Sequence, residues 1–320
     1  MPKLISVVVP IYNEEKNIPR VYAEIKKTFE SLAFDLELIF VNDGSQDHSF
    51  LEINKLAEKD SRVKLVDFAR NFGKEIALTA GCHHASGEAV ITMDADLQHP
   101  PKLIPEMLEK WQSGKEVVYT VRKEHKGASL TKKTTSKLYW WLFQNMTSVE
   151  TEPHSTDFRL MDKKVIDIFK KFPERGRIFR GIIDWIGFER ERIEFVAPER
   201  TEGKPTYSYR KLIGLAINSL TAFSMLPLRL AGYLGVIITL VSSLILFIIA
   251  LSKIFGFLEF TPIASLTVVN TFLIGIVLVC LGFIALYIAR IHDEVIDRPL
   301  YLIKRKLNLE NDGSSGKKIN

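Results

Sequence analysis

The chain has 320 residues, 25% charged and 47% hydrophobic, with a formal net charge of +5. That length holds one large globular domain and something smaller, and the composition excludes a disordered or disulfide-built chain. The modest positive excess suits phosphate-bearing, anionic-lipid or nucleic-acid partners without choosing among them.

In chain order, apolar β-rich runs alternate with amphipathic ones. Residues 4–10 predict a buried strand. The run turns polar at Asn13, too early for a signal peptide, so the globular domain is expected to stay in the cytoplasm. A helix is expected over 15–32, then a strand over 36–41 that closes on Asn42-Asp43-Gly44-Ser45. A helix to about 58, a strand over 63–68 and a helix after Gly73 follow. The next strand, 89–93, ends at Asp94-Ala95-Asp96. Pro100 and Pro101 open a helix to about 112, and a strand over 116–121 comes next. Strands spaced by helices predict an α/β fold with a mainly parallel sheet covered on both faces, whose ligands bind beyond the carboxyl ends of the strands. Tyr12, Asp43 and Asp94 to Asp96 all fall at such ends.

Further helices are expected over 130–146 and 162–187, and a late strand over 190–197. The basic stretch 123–137 has no aromatic interleaving, which argues against nucleic acid. Residues 207–224 predict an amphipathic helix, either on the globular domain or in the membrane interface. Residues 231–251 and 266–289 carry no charge. Twenty-one helical residues reach about 31 Å, the thickness of a bilayer's hydrocarbon core. The expected organisation is therefore a globular domain over 1–206, a juxtamembrane segment over 207–228, a transmembrane hairpin over 229–290 and a basic tail over 291–320 with a disordered end. Lys and Arg outside the hairpin put both its ends in the cytoplasm. Cys82 and Cys280 are too few and too distant for a disulfide framework or a zinc motif.

Several residues carry candidate chemistry. Asp94 and Asp96 place two carboxylates at the end of a buried strand, which is costly unless something pairs with them. Mg²⁺ or Mn²⁺ does this with oxygen ligands and substrate phosphates, and Gln98 offers a neutral oxygen nearby. A capping Asp beside a solvated neighbour is the plainer alternative. Asp43 is placed to accept from a nucleobase N–H or a ribose hydroxyl, or to close an ordinary turn. Pro10-Ile11-Tyr12-Asn13-Glu14-Glu15 reads either as a base-binding segment or as a strand exit and helix cap. His83 and His84 are adjacent on a helix and do not converge on one ion. Asp157 lies in a polar stretch, as an acceptor-orienting carboxylate or as a helix-start Asp.

In one chain and in this order, PIYNEE, VNDGS, RNFGKEIALTAG, MDADLQHPP, TDFRLM and PERGRIFRGIIDWIGF resemble glycosyltransferase family 2, and within it the polyisoprenyl-phosphate glycosyltransferases. The likeness runs over residues 4–306. It implies a GT-A fold and an inverting hexosyltransferase that moves one sugar from a nucleotide-sugar, first of all UDP-glucose, to a polyisoprenyl phosphate such as undecaprenyl phosphate. The product would be a lipid-linked sugar for cell-envelope glycosylation. It implies that Asp94, Asp96 and Gln98 hold Mg²⁺ or Mn²⁺ on the donor diphosphate, with Asp96 also in the catalytic set. Pro10, Tyr12, Glu14, Asp43, Asp94 and Ala95 would line the donor site. Asp157 would be the catalytic carboxylate, and Arg122, Lys132, Ser136 and Arg200 would face the acceptor phosphate. The implied partners are the bilayer of a bacterial inner membrane and the two substrates, with a homo-oligomer left open and no nucleic acid. Two departures stand out: Asn42 where the family often has Asp, and Thr156 where Gly is common. GDP-mannose or another UDP-sugar stays open as the donor; a processive polysaccharide synthase would carry a Gln-x-x-Arg-Trp motif, which this sequence lacks, and a non-catalytic membrane scaffold would have little reason to keep Asp94, Asp96, Gln98 and Asp157 together.

Overall fold

A computed structural model describes residues 2–123, 152, 154–172, 174, 178–196, 261–296 and 298–309, with 244, 247, 251 and 255 as single positions. The expected helices over 130–146 and 207–224, and nearly all of the expected span over 231–251, lie outside the described residues. Contacts divide the chain into two compact units. The first comprises Met1–Trp141, Val149–Tyr207 and Pro299–Asn320, and the second comprises Leu142–Ser148 and Ser208–Arg298.

The first unit is built on one eight-stranded sheet: β1 (Lys3–Ile11), β2 (Phe34–Asn42), β3 (Val63–Phe68), β4 (Ala89–Thr92), β5 (Val117–Arg122), β6 (Ser155–Asp162), β7 (Arg190–Phe195) and β8 (Ile303–Leu307). Its spatial order is β7-β5-β6-β4-β1-β2-β3-β8. The pairs β1–β2, β2–β3, β1–β4 and β5–β7 are parallel, whereas β6 and β8 run against their neighbours. The helices are α1 (Ile18–Glu30), α2 (Ser49–Lys59), α3 (Lys74–His84), α4 (Ile104–Gln112), α5 (Lys163–Phe169) and α6 (Phe179–Ile186). This is the mainly parallel α/β sheet that the alternation predicts, and it agrees with the GT-A fold that the resemblance implies.

The apolar strand runs follow from burial on both faces. Ile5, Val7, Val9 and Ile11 enter one core cluster with α1 and α4, while Val8, Ile39, Val41 and Val66 enter the other with α3, α5 and α6. Gly81 lets α3 lie close on β1: a Cβ there would stand 2.1 Å from Val8 Cγ1. β1 has β2 on one side and β4 on the other, so the strand order reverses there and a crevice opens beyond their carboxyl ends.

Two elements differ from the sequence reading. The stretch around Asp157 is neither a loop nor a helix start but strand β6, inserted antiparallel between β4 and β5. The end expected to be a tail returns to the sheet as β8, paired with β3. In the second unit, α7 (Pro262–Val295) is a 34-residue helix that contains the expected second span. Among the described residues no helix is long and apolar enough to cross a membrane; several of α7's side chains are not among them. Both cysteines are free thiols.

Candidate active site

The carboxyl ends of β1, β2 and β4 deliver the predicted segments to one place. After β1, Asn13 takes a left-handed backbone with φ 56°, which Asn tolerates better than most residues. Its N–H donates to Ser45 Oγ at 3.0 Å and its Oδ1 accepts from Gln46 N at 2.8 Å, which ties the β1 exit to the β2 exit. Tyr12 is left 43% exposed, with its ring open to a stacking partner. Pro10 is half-buried at the strand end. Glu14 N donates to Ser49 Oγ and Glu14 Oε2 accepts from Asn17 Nδ2 at 2.6 Å, so this side chain also organises the start of α1.

Asp43 is 3% exposed. Its carboxylate accepts from Phe72 N at 2.6 Å, Gly73 N at 2.9 Å and Asn71 Nδ2 at 3.0 Å. Burial raises its pKa, and the two backbone N–H donors offset part of that rise. Its first task is therefore to fix the loop between β3 and α3. Gly44 makes this possible. At φ +65° its Cα packs on the Arg70–Asn71 backbone, where a Cβ would lie 2.4 Å from the Arg70 carbonyl carbon.

That loop delivers Lys74, whose role the sequence reading missed. Lys74 Nζ lies 2.6 Å from Asp94 Oδ1 and 2.8 Å from Asp157 Oδ2. Strand register explains the meeting. Because β6 runs antiparallel to β4 with Thr92 opposite Arg159, Asp157 comes level with the turn that follows β4. Burial would push Asp157 up, but Lys74, Arg180 and Arg159 together hold it well below the usual carboxylate range. Burial would push Lys74 down, and the charges of Asp157 and Asp94 more than reverse that. Asp157 Oδ1 is buried with no hydrogen-bond partner among the described residues. The sequence offered only a weak signal: a lysine opening a helix opposes the helix dipole and gains from an acidic neighbour.

Around this centre sits a supporting shell. Arg159 is fully buried and pairs with Asp184 at 2.6 Å, linking TDFRLM to GIIDWIGF. Glu75 accepts from Phe179 N at 2.6 Å. Burial, and then the Asp157 charge, push its carboxyl up to about 6. His99 Nδ1 accepts from Asp94 N at 3.0 Å, and its ring stacks on Phe158 at 5.3 Å. Burial outweighs the nearby carboxylates and lowers its pKa, so the neutral ring anchors the turn. In that turn Leu97 is left-handed at φ 59°. This is a strained conformation for leucine and one that concentrates at functional sites. Ala95, in the same turn, is buried.

Asp96 Oδ1 accepts from Gln98 N at 3.1 Å. Gln98 Oε1 faces Arg122 Nη1 at 3.4 Å, which brings an expected metal ligand beside an expected acceptor residue. Lys132, Ser136 and Arg200 lie outside the described residues. Among the described residues no three His, Cys, Asp or Glu side chains form a metal cluster by themselves. Asp94 and Asp96 nevertheless fit a Mg²⁺-type ion, which binds through one or two carboxylates and takes the rest of its shell from water and phosphate oxygens.

A doubly covered sheet with acidic and basic groups converging at its β1–β4 crevice is the arrangement of a Rossmann-like GT-A scaffold. The model of "Glycosyl transferase family 2" matches residues 6–169. The uncharacterized glycosyltransferase YkcC of Bacillus subtilis (strain 168) is 42% identical over 96% of this chain and 95% of that one. The SfII prophage-derived bactoprenol glucosyl transferase of Shigella flexneri is 38% identical over 94% of this chain and 97% of that one. Mannosyl-3-phosphoglycerate synthase from Rubrobacter xylanophilus shares the fold, with a TM-score of 0.50 and 15% identity over 69% of this chain and 72% of that one. The chain belongs to glycosyl transferase family 2 and is a glycosyltransferase. The likeness to the polyisoprenyl-phosphate branch, read from the motifs, is borne out by the Shigella relative.

Proposed function

We propose that this enzyme transfers a single hexose, glucose from UDP-glucose as the first candidate, to a polyisoprenyl phosphate with inversion at the anomeric carbon. The observation that carries the reading is the shared ammonium. Lys74 joins Asp94 to Asp157, which on this reading are the donor-side and acceptor-side carboxylates. Two anionic phosphates must approach each other in this reaction, and a half-buried cation held between the two carboxylates suits that need.

Asp94 and Asp96 would hold a divalent cation, with Gln98 beside them. When bound, that ion neutralises the donor diphosphate and stabilises the departing nucleotide. Tyr12 supplies an exposed ring for the base, and Asp43 holds the loop that carries Lys74. The acceptor phosphate monoester is largely a dianion at neutral pH, since its second pKa is near 6. One of its oxygens forms the new bond to the anomeric carbon. The bond from that carbon to the diphosphate oxygen breaks, and the nucleoside diphosphate leaves with the electron pair. No proton has to move, so Asp157, ionised by its cationic neighbours, serves to orient Lys74 and the acceptor. Arg122, and with it Lys132, Ser136 and Arg200, would hold the acceptor phosphate.

The uncharged stretches 231–251 and 266–289 support a hairpin anchor that keeps the globular domain on the cytoplasmic side of a bacterial inner membrane. The name of the Shigella relative supports the lipid acceptor. The test is a panel of labelled nucleotide-sugars with undecaprenyl phosphate and Mg²⁺ or Mn²⁺. One donor should transfer, and EDTA or Asp96→Ala should abolish the transfer. Full turnover in EDTA would remove the metal from this account.

A further inference from the structure

The segment that follows α7 in the chain does more than end it. Residues 301–308 are bound into the first unit through the same loop and helix that place Lys74. Strand β8 pairs with β3 through Leu307–Leu65, Lys306–Val66 and Arg305–Asp67, and its register shifts at Phe68. Beyond the shift, Ala69 N donates to Leu302 O at 2.9 Å, so the grip continues into the first residue of the loop. The Tyr301 ring stacks on Phe68 at 5.2 Å, and Phe68 meets Phe72 edge-on at 5.6 Å. Phe72 is one of the residues whose N–H binds Asp43. The Tyr301 hydroxyl hydrogen-bonds His83 Nδ1 at 3.2 Å. His83 stands near the end of α3, the helix that Lys74 opens.

The Tyr301 side chain thus touches both supports of Lys74: the aromatic step leading into its loop, and the far end of its helix. At 1.5 Å per residue that second contact lies about 14 Å along α3 from Lys74. Asn308 closes the other end of β8, its amide donating to Ala57 O at 2.8 Å and Val63 O at 2.9 Å. An ordinary edge strand needs only its ladder bonds. The stacked ring adds a constraint on the end of β3 that leads into the loop, and the phenol adds one on α3.

We propose that Tyr301 is a positioning residue for transfer, setting α3 and its loop so that Lys74 reaches Asp94 and Asp157 together. By this route the chain segment that leaves α7 is built into the active site's support. The inference rests on the proposed role of Lys74, and the test separates the two.

In the full-length protein in detergent, amide hydrogen exchange over residues 69–84 should rise about tenfold or more in Tyr301→Ala. Exchange in β4 and β5 should be unchanged. Tyr301→Phe, which keeps the ring stack, should recover most of the protection. Transfer from UDP-glucose to undecaprenyl phosphate should fall about tenfold in kcat for Tyr301→Ala with the donor KM unchanged, and recover in Tyr301→Phe. In a Lys74→Met background the same Tyr301→Ala substitution should cost little more, because both changes remove one function. Unchanged exchange over 69–84, or penalties that simply add, would overturn the positioning role. A Lys74→Met protein with full activity would instead overturn the reading of the site itself. Should UDP-glucose prove not to be the donor, the exchange experiment still decides the structural half, because it needs no turnover.

Discussion

The Lys74 ammonium is the residue on which the site turns, and its neighbours give it measurable consequences. Lys74→Met removes the cation that Asp94 and Asp157 share. We expect transfer to fall by about 10²- to 10³-fold, the scale of a lost electrostatic contact to the reacting charges. Asp157→Asn keeps size and much of the hydrogen bonding while removing the charge. It should lower the transfer rate strongly and leave the donor dissociation constant, measured calorimetrically, nearly unchanged. Weakened donor binding would move Asp157 to the donor site. Glu75 supplies a pH test. Its carboxyl rises from 4.5 to about 6 on folding. A raised carboxyl contributes stability below its unfolded value and loses it as pH rises through the folded value. Glu75→Gln should therefore unfold at higher denaturant than wild type at pH 7.5, by on the order of 1 kcal/mol, and show no gain at pH 4. The rate should also fall below about pH 6 as the lipid phosphate takes up its proton. That limb should survive in Glu75→Gln, since it belongs to the substrate; its loss would assign it to Glu75.

At the scale of elements, the loop between β3 and α3 is held by Asp43 from one side and packed by Gly44. Gly44→Ala forces a Cβ against the Arg70 backbone at a left-handed φ. It should destabilise the protein by about 1–3 kcal/mol and shift the loop; chemical denaturation with donor titration would show both. The four parallel strands β1 to β4 and their helices were legible in the sequence, because doubly buried strands are apolar runs and their turns carry Gly, Asn and Asp. Strand β6 was not. Its residues include Thr156, Asp157 and Arg159, and only tertiary partners explain a buried Asp and a fully buried Arg: Lys74 for the first and Asp184 for the second. Strand β8 was hidden for a related reason. Lys304, Arg305 and Lys306 read as a basic tail, yet on an edge strand these long side chains stay near solvent, and Arg305 lies over the Phe50 ring. Asp94, Asp96 and Asp157 could be named from motifs, but the cation between them required the fold. A lysine at a helix start has many ordinary explanations until two carboxylates are found beside it.

At the scale of the whole molecule, the proposed function would bring a GT-A sheet to a substrate held in the membrane. The uncharged stretches and their basic flanks predict that residues 253–265 face away from the cytoplasm. A cysteine replacing Glu259 should react with an impermeant thiol reagent in intact cells, whereas one placed near Lys317 should not; the reverse pattern would invert the hairpin. Such an anchor would leave the prenyl tail in the bilayer while its phosphate meets the polar centre at Lys74 and Asp157. The measurement that bears most directly on this account is the product itself. Purified full-length protein is incubated with labelled UDP-glucose, undecaprenyl phosphate and Mg²⁺, and the lipid fraction is read by mass spectrometry. The account predicts one hexose per lipid phosphate, β-linked, absent in EDTA and in Asp96→Ala. Growth of a glucose polymer, or label passing only to water while the lipid phosphate stays unmodified, would contradict it.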